Sequence, residues 1–141
     1  MREIFHRELD QLVEQLVEMT RLVDTAMYRA TTALLDADLA LAESVIAADA
    51  AVDGFHRDLD ERALELIARQ QPVAGDLRTI LASLRMSADL ERMGDLARHV
   101  AELAQRRGGA VHRGVDQPGH YIEDGKYMVR AEIPGTDPHP L

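Results

Sequence analysis

Nine apolar residues near the start of the chain recur at steps of four and three without a miss: Phe5, Leu9, Leu12, Leu16, Met19, Val23, Ala26, Ala30 and Ala33. At 3.6 residues per turn these positions form one stripe along one helix. A seam kept over four turns and more is the heptad pattern of helix-on-helix packing. No Gly or Pro interrupts it, so a single helix is expected over about 2–35. The stripe shrinks from Leu to Ala toward its end, which lets a partner helix, or a second copy of the chain, come close.

Asp36-Ala37-Asp38 is the first break, and either Asp36 or Asp38 can cap a second helix over about 38–70. Its stripe runs Ala42, Val45, Asp49, Val52, His56, Leu59, Ala63 and Leu66. Gln70-Gln71-Pro72 ends it, because Pro cannot continue a helix and restrains the residue before it. A third helix is expected over about 73–107, with Asp76 serving its start and Arg106-Arg107-Gly108-Gly109 its end. Its stripe is counted as Leu81, Leu84 and Ala88, and then Glu91 and Asp95. Three helices with short links predict an all-α fold, an antiparallel three-helix bundle occupying residues 1–107. The 141 residues suffice for one domain, and an aromatic content of 4% without Trp suits a Leu/Ala/Val core.

Two places break the apolar rule. Glu91 and Asp95 stand one turn apart on the counted stripe, where like charges cost about 0.2–0.5 kcal/mol even in an isolated helix. Asp49 and Asp53 repeat the arrangement on the second helix. Gly94 and Gly54 lie beside these acids and leave room for hydrated ions or close backbones. A bound cation would offset the repulsion, and carboxylate oxygens take hard cations such as magnesium, calcium, manganese or iron. The competing reading is a solvated acidic face balanced by Arg92 and Arg98, with Arg57 pairing Asp53. His56 is expected to be partly buried and hydrogen-bonded, and His99 solvated. Glu3-x-x-His6 has the spacing of a di-iron helix motif but lacks a matching Glu in context.

The net charge of −9, from 25 acids against 16 bases, disfavours direct nucleic-acid binding and suits metal cations or a basic protein partner. There is no cysteine, hence no thiolate site or disulfide. Neither a membrane-length apolar run nor a signal peptide is legible, so a cytoplasmic protein without membrane insertion is expected. No Ser-His-acid set and no Gly-rich phosphate loop proposes a reaction, and a non-enzyme is expected.

At Gly108 the composition changes: 108–141 holds six of the nine Gly and four of the five Pro. Tyr127, Val129, Ala131 and Ile133 alternate behind a Glu123-Asp124-Gly125 turn, so this Gly/Pro-rich tail is expected to be irregular or a short β-hairpin.

Residues 2–107 resemble the PhoU family of regulators attached to bacterial phosphate uptake. The resemblance is carried by Ile67-Ala68-Arg69-Gln70-Gln71-Pro72-Val73-Ala74-Gly75-Asp76-Leu77-Arg78, by Ala88 to Asp95, and by Asp49 to Asp53. It implies that Asp49, Asp53, Glu91 and Asp95 ligate divalent or trivalent metal ions, with iron, manganese, magnesium and zinc all open. It also implies negative regulation of phosphate uptake and of the phosphate-starvation response. The implied partners are the phosphate transporter's nucleotide-binding subunit and a sensor histidine kinase. Family members normally carry two such repeats and this chain shows one, so a homodimer is expected. Tyr121 to Gly135, within a tail segment of about 120–138, resembles the opening of a small heat-shock (α-crystallin-type) domain. Two alternatives remain at this stage: a carboxylate-bridged metal enzyme, and a purely structural oligomerising module.

Overall fold

The computed structural model describes residues 2–115, 120–124 and 126–129. Three helices, α1 (Arg2–Asp36), α2 (Leu39–Gln70) and α3 (Ala74–Val115), pack pairwise against one another, and a hairpin of β1 (His120–Glu123) and β2 (Lys126–Val129) follows. The heptad stripe of α1 is its inner face: Phe5, Leu9, Leu12, Met19, Val23, Ala30 and Ala33 are buried, and Leu16 and Ala26 half-buried. α2 likewise buries Ala42, Val45, Val52, Leu59, Ala63 and Leu66. Each large side chain placed inside this way contributes about 1.5–3 kcal/mol.

The turns are built locally. Ala37 adopts a left-handed φ of 52°, and the Asp38 N–H donates to the Ala33 carbonyl at 3.0 Å, closing α1 in a Schellman arrangement. Asp38, not Asp36, caps α2, its carboxylate accepting from the Leu41 N–H at 3.0 Å. Gln71 closes α2 at a left-handed φ of 42°, and α3 begins at Ala74. Asp76 places its charge in the first turn of α3, where the helix dipole favours it.

Two expectations for the third helix need correction. Its buried face is one residue out of register with the counted stripe: Ile80, Ser83, Ser87, Gly94, Ala97, Ala101 and Ala104 face inward, whereas Leu81 is 41% exposed. Small residues allow close helix approach, and buried hydroxyls find partners. Ser83 Oγ donates to the Thr79 carbonyl at 2.8 Å, and Ser87 Oγ lies 2.7 Å from His56 Nδ1. A hydropathy count passes over Ser and Gly and lands on the leucines beside them. The helix also continues to Val115 rather than stopping at 107. Gly108 is not a cap. A Cβ there would lie 2.7 Å from Leu39 Cδ2, so the bare Cα lets α3 pass the α1–α2 turn. Arg107 pins the same region by donating to the Leu34 carbonyl at 3.1 Å.

The hairpin forms where the turn was expected, with Glu123 opposite Lys126 and Asp124 at a left-handed φ of 49°. Ala131 and Ile133, counted in the same alternation, lie outside the described residues.

The core divides along the bundle. Phe5, Leu9, Leu12, Leu59, Leu66 and Ile80 fill one end; Met19, Val23 and Val52 fill the middle; alanines with Val45 fill the end nearest the α1–α2 turn. No helix among the described residues is long and apolar enough to cross a membrane.

Candidate metal centre

The register of α3 decides where its acids point. With Gly94 buried against α2, Asp95 and Glu91 fall on the flank of α3 beside α2, half-buried rather than in the core. Asp49 comes from the inner stripe of α2 with a side chain only 12% exposed, and Asp53 sits one turn further on. One carboxylate oxygen each from Asp49, Asp53 and Asp95 lies within 4.8 Å of the others. Glu91 stands beside Asp95, one turn away on α3, and with Asp53, His56 and Arg57 lines an open depression next to the three. The structure thus draws three of the four expected ligands into one group and puts the fourth on its margin.

Gly94 has a steric role here. A Cβ on it would sit 3.1 Å from Val52 Cγ1 and 3.7 Å from Asp49 Oδ1, so its absence lets α2 and α3 close over the acids. Gly54 has no such role, because nothing lies within 4 Å of a Cβ built there.

The electrostatics are those of crowded carboxylates. Burial, the Asp53 charge and the Asp95 and Glu102 charges push the Asp49 carboxyl above its ordinary value, against the pull of Arg98. Burial pushes Glu91 up as well, helped by the proton it can share with Asp95 and by the Asp95 and Asp53 charges, with His56 opposing.

Arg98 is the countercharge. Its Nε lies 3.1 Å from Asp49 Oδ2, its Nη2 3.8 Å from Asp95 Oδ1 and its Nη1 3.3 Å from Glu102 Oε1. By sequence Arg98 reads only as a surface balance and Glu102 carries no signal, although Glu102 is one heptad beyond Asp95. Arg92, the other expected balance, pairs instead with Asp89. Arg57 makes no ion pair among the described residues. His56 is held as expected, between Ser87 and Asp60, whose Oδ2 is 3.6 Å from Nε2. His99 is exposed, and His6 faces Asp76 of α3 at 3.9 Å rather than a partner glutamate.

The donor set fits a hard cation. Oxygens bound at about 2.0–2.6 Å to one ion span no more than about 5 Å, the spread these three already have. The buried Arg98 Nε, which finds no well-angled hydrogen bond, marks positive charge held there without a directional partner.

Fold and site together define a three-helix bundle whose α2–α3 face is lined with carboxylates. A family model for the PhoU domain matches residues 16–104. The phosphate-specific transport system accessory protein PhoU homolog 2 of Mycobacterium tuberculosis is 44% identical over 129 residues, which are 92% of this chain and 61% of that protein. PhoU homolog 1 of Mycobacterium leprae is 43% identical over 129 residues, covering 92% of this chain and 58% of its own length. The homologue of Aquifex aeolicus is 43% identical over 98 residues, 70% of this chain and 44% of its own. The chain belongs to the PhoU family. It spans about three fifths of the length of its mycobacterial relatives. An alignment of 129 residues has to extend past Val115, and the likeness of Tyr121–Gly135 to a small heat-shock domain finds no support in these relatives.

Proposed function

We propose that this chain is a cytoplasmic, non-enzymatic regulator of phosphate uptake whose α2–α3 face binds metal. The observation that carries the metal assignment is the meeting of Asp49, Asp53 and Asp95 oxygens within 4.8 Å, with Glu91 adjoining. These four residues would hold one or more divalent or trivalent ions. A bound ion would supply positive charge that turns mutual repulsion into attraction between α2 and α3. The regulatory role draws on the relatives, which are phosphate-specific transport accessory proteins. On this reading the loaded face contacts the transporter's nucleotide-binding subunit and a sensor histidine kinase, and phosphate uptake and the starvation response are repressed. Self-association belongs to the same proposal: Met86, Met93, Leu96 and Leu103 of α3 and Val13 and Val17 of α1 are exposed, and a second copy would cover them.

Two measurements test this. Metal analysis of the purified chain, with sedimentation beside it, should find bound iron, manganese, magnesium or zinc in a dimer, lost on Asp49→Asn plus Asp95→Asn. Expression in a bacterium lacking its own phosphate-transport accessory protein should lower a phosphate-starvation reporter. A metal-free monomer would remove the first part, and an unchanged reporter the second.

A further inference from the structure

The guanidinium of Arg98 lies against two of the carboxylates that would hold a metal ion. It contacts Asp49 and Asp95, two of the three converging acids, at 3.1 and 3.8 Å. Its two ends are held differently. Nη1 donates a hydrogen bond of 3.3 Å to Glu102, one turn along α3 and outside the converging group. Nε, although buried and near Asp49, makes no properly angled bond. The side chain is anchored on Glu102 and only leans on Asp49. A single positive charge against three carboxylates also leaves the cluster short of neutrality.

We propose that Arg98 is an internal counter-cation that keeps the empty site folded and that an incoming ion displaces, swinging it back onto Glu102. This rests on the metal-binding reading above. Arg98 then sets a threshold. A monovalent ion gains little by replacing one charge with another, whereas a divalent or trivalent ion gains more than the arginine gave up. Arg98 lowers affinity in exchange for stability without metal, and Glu102 gives the guanidinium somewhere to go.

The test is Mn²⁺ titration of the full chain by calorimetry, with melting measured in chelator. Arg98→Gln should bind Mn²⁺ about ten-fold more tightly than wild type, the size expected when one close charge leaves a partly exposed site. It should also melt lower without metal. Arg98→Lys, a gentler change, should shift both quantities in the same direction by less. Glu102→Gln should bind several-fold more weakly, because the displaced arginine loses its anchor. Arg92→Gln, which removes an exposed charge paired with Asp89, should leave affinity within about two-fold. Wild-type binding that is matched or exceeded in Kd by both Arg98 variants overturns the proposal and leaves the metal site standing. No binding by wild type or by any Arg98 variant overturns both. Tightening by Arg92→Gln as large as by Arg98→Gln would reduce the effect to net charge and overturn the displacement.

Discussion

Asp53→Asn is the sharpest single perturbation of the acidic cluster. Asp53 repels Asp49 and Asp95 across distances of no more than 4.8 Å, yet it has no ion pair of its own among the described residues. Removing its charge therefore relieves its repulsion of Asp49, Asp95 and Glu91 and sacrifices no ion pair, unlike changes at Asp49 or Asp95, which also cost a contact with Arg98. At an effective dielectric near 20, two charges 4.8 Å apart repel by about 3.5 kcal/mol. Half-exposed groups are screened well below that, and measured exposed pairs come to about 0.2–1 kcal/mol. A net gain of about 1 kcal/mol for the metal-free variant is the reasonable middle. With an unfolding entropy of about 2.1 cal/mol/K per residue, the bundle should melt about 4 °C higher in chelator. Metal should act in the opposite sense on the comparison. Wild type at an ion concentration a hundred times Kd gains about 2.7 kcal/mol, near 10 °C, and the variant should lose most of that gain. The assay is thermal unfolding followed by circular dichroism, with chelator and with Mn²⁺. A variant less stable than wild type in chelator, or one with an undiminished Mn²⁺ shift, would refute the reasoning.

Other expectations follow from single features. Ile80→Ala should destabilise by about 2–5 kcal/mol, whereas Leu81→Ala should change stability by less than about 0.5 kcal/mol; equal losses in urea unfolding would reverse the register of α3. Ala37→Gly should stabilise by about 1 kcal/mol, since Ala carries a left-handed φ of 52° that glycine adopts freely; a drop in melting temperature would mean the turn is held otherwise. The raised Asp49 and Glu91 carboxyls hold protons in the folded protein at pH values where the unfolded chain, near 3.8 and 4.5, has already released them. Metal-free stability should therefore rise as pH falls through the range just above those values, and fall as pH rises through it. Melting in chelator across that range should show this rise, and it should vanish in Asp49→Asn plus Glu91→Gln.

The sequence disclosed most where large apolar residues mark the inner face. Phe5 to Ala33 and Ala42 to Leu66 are buried as their spacing requires, and the Asp38 and Pro72 links fall where capping chemistry puts them. It disclosed less where small residues do the packing. Ser83, Ser87 and Gly94 carry no hydropathy signal, so the count slid onto Leu81 and placed Glu91 and Asp95 in the core instead of beside it. Gly108 looked like a helix end because glycine has two uses, and only the position of Leu39 shows which one applies. The acids of the site were legible as breaks in the pattern, but the part played by Arg98 was not. Its pairing with Asp95 follows from i,i+3 spacing on α3, but its contact with Asp49 depends on how α2 and α3 meet, and no spacing within either helix encodes that.

The graded core has a kinetic consequence. Leucine and phenylalanine layers remove several times more apolar surface from water than alanine layers, so the free energy of local opening should slope along the bundle axis. Amide hydrogens flanking the α1–α2 turn, and those of α3 from Ala97 to Gly108, should exchange with solvent before those around Leu12, Leu59 and Ile80. Asp49 and Asp95 stand where the slope begins, between the Val52 layer and the alanine layers. An ion clasped there would slow exchange in α2 and α3 at the end where side-chain burial does least. Helix α1 supplies no carboxylate to the group, so its Ala30–Ala33 turn should remain the first to open, loaded or empty.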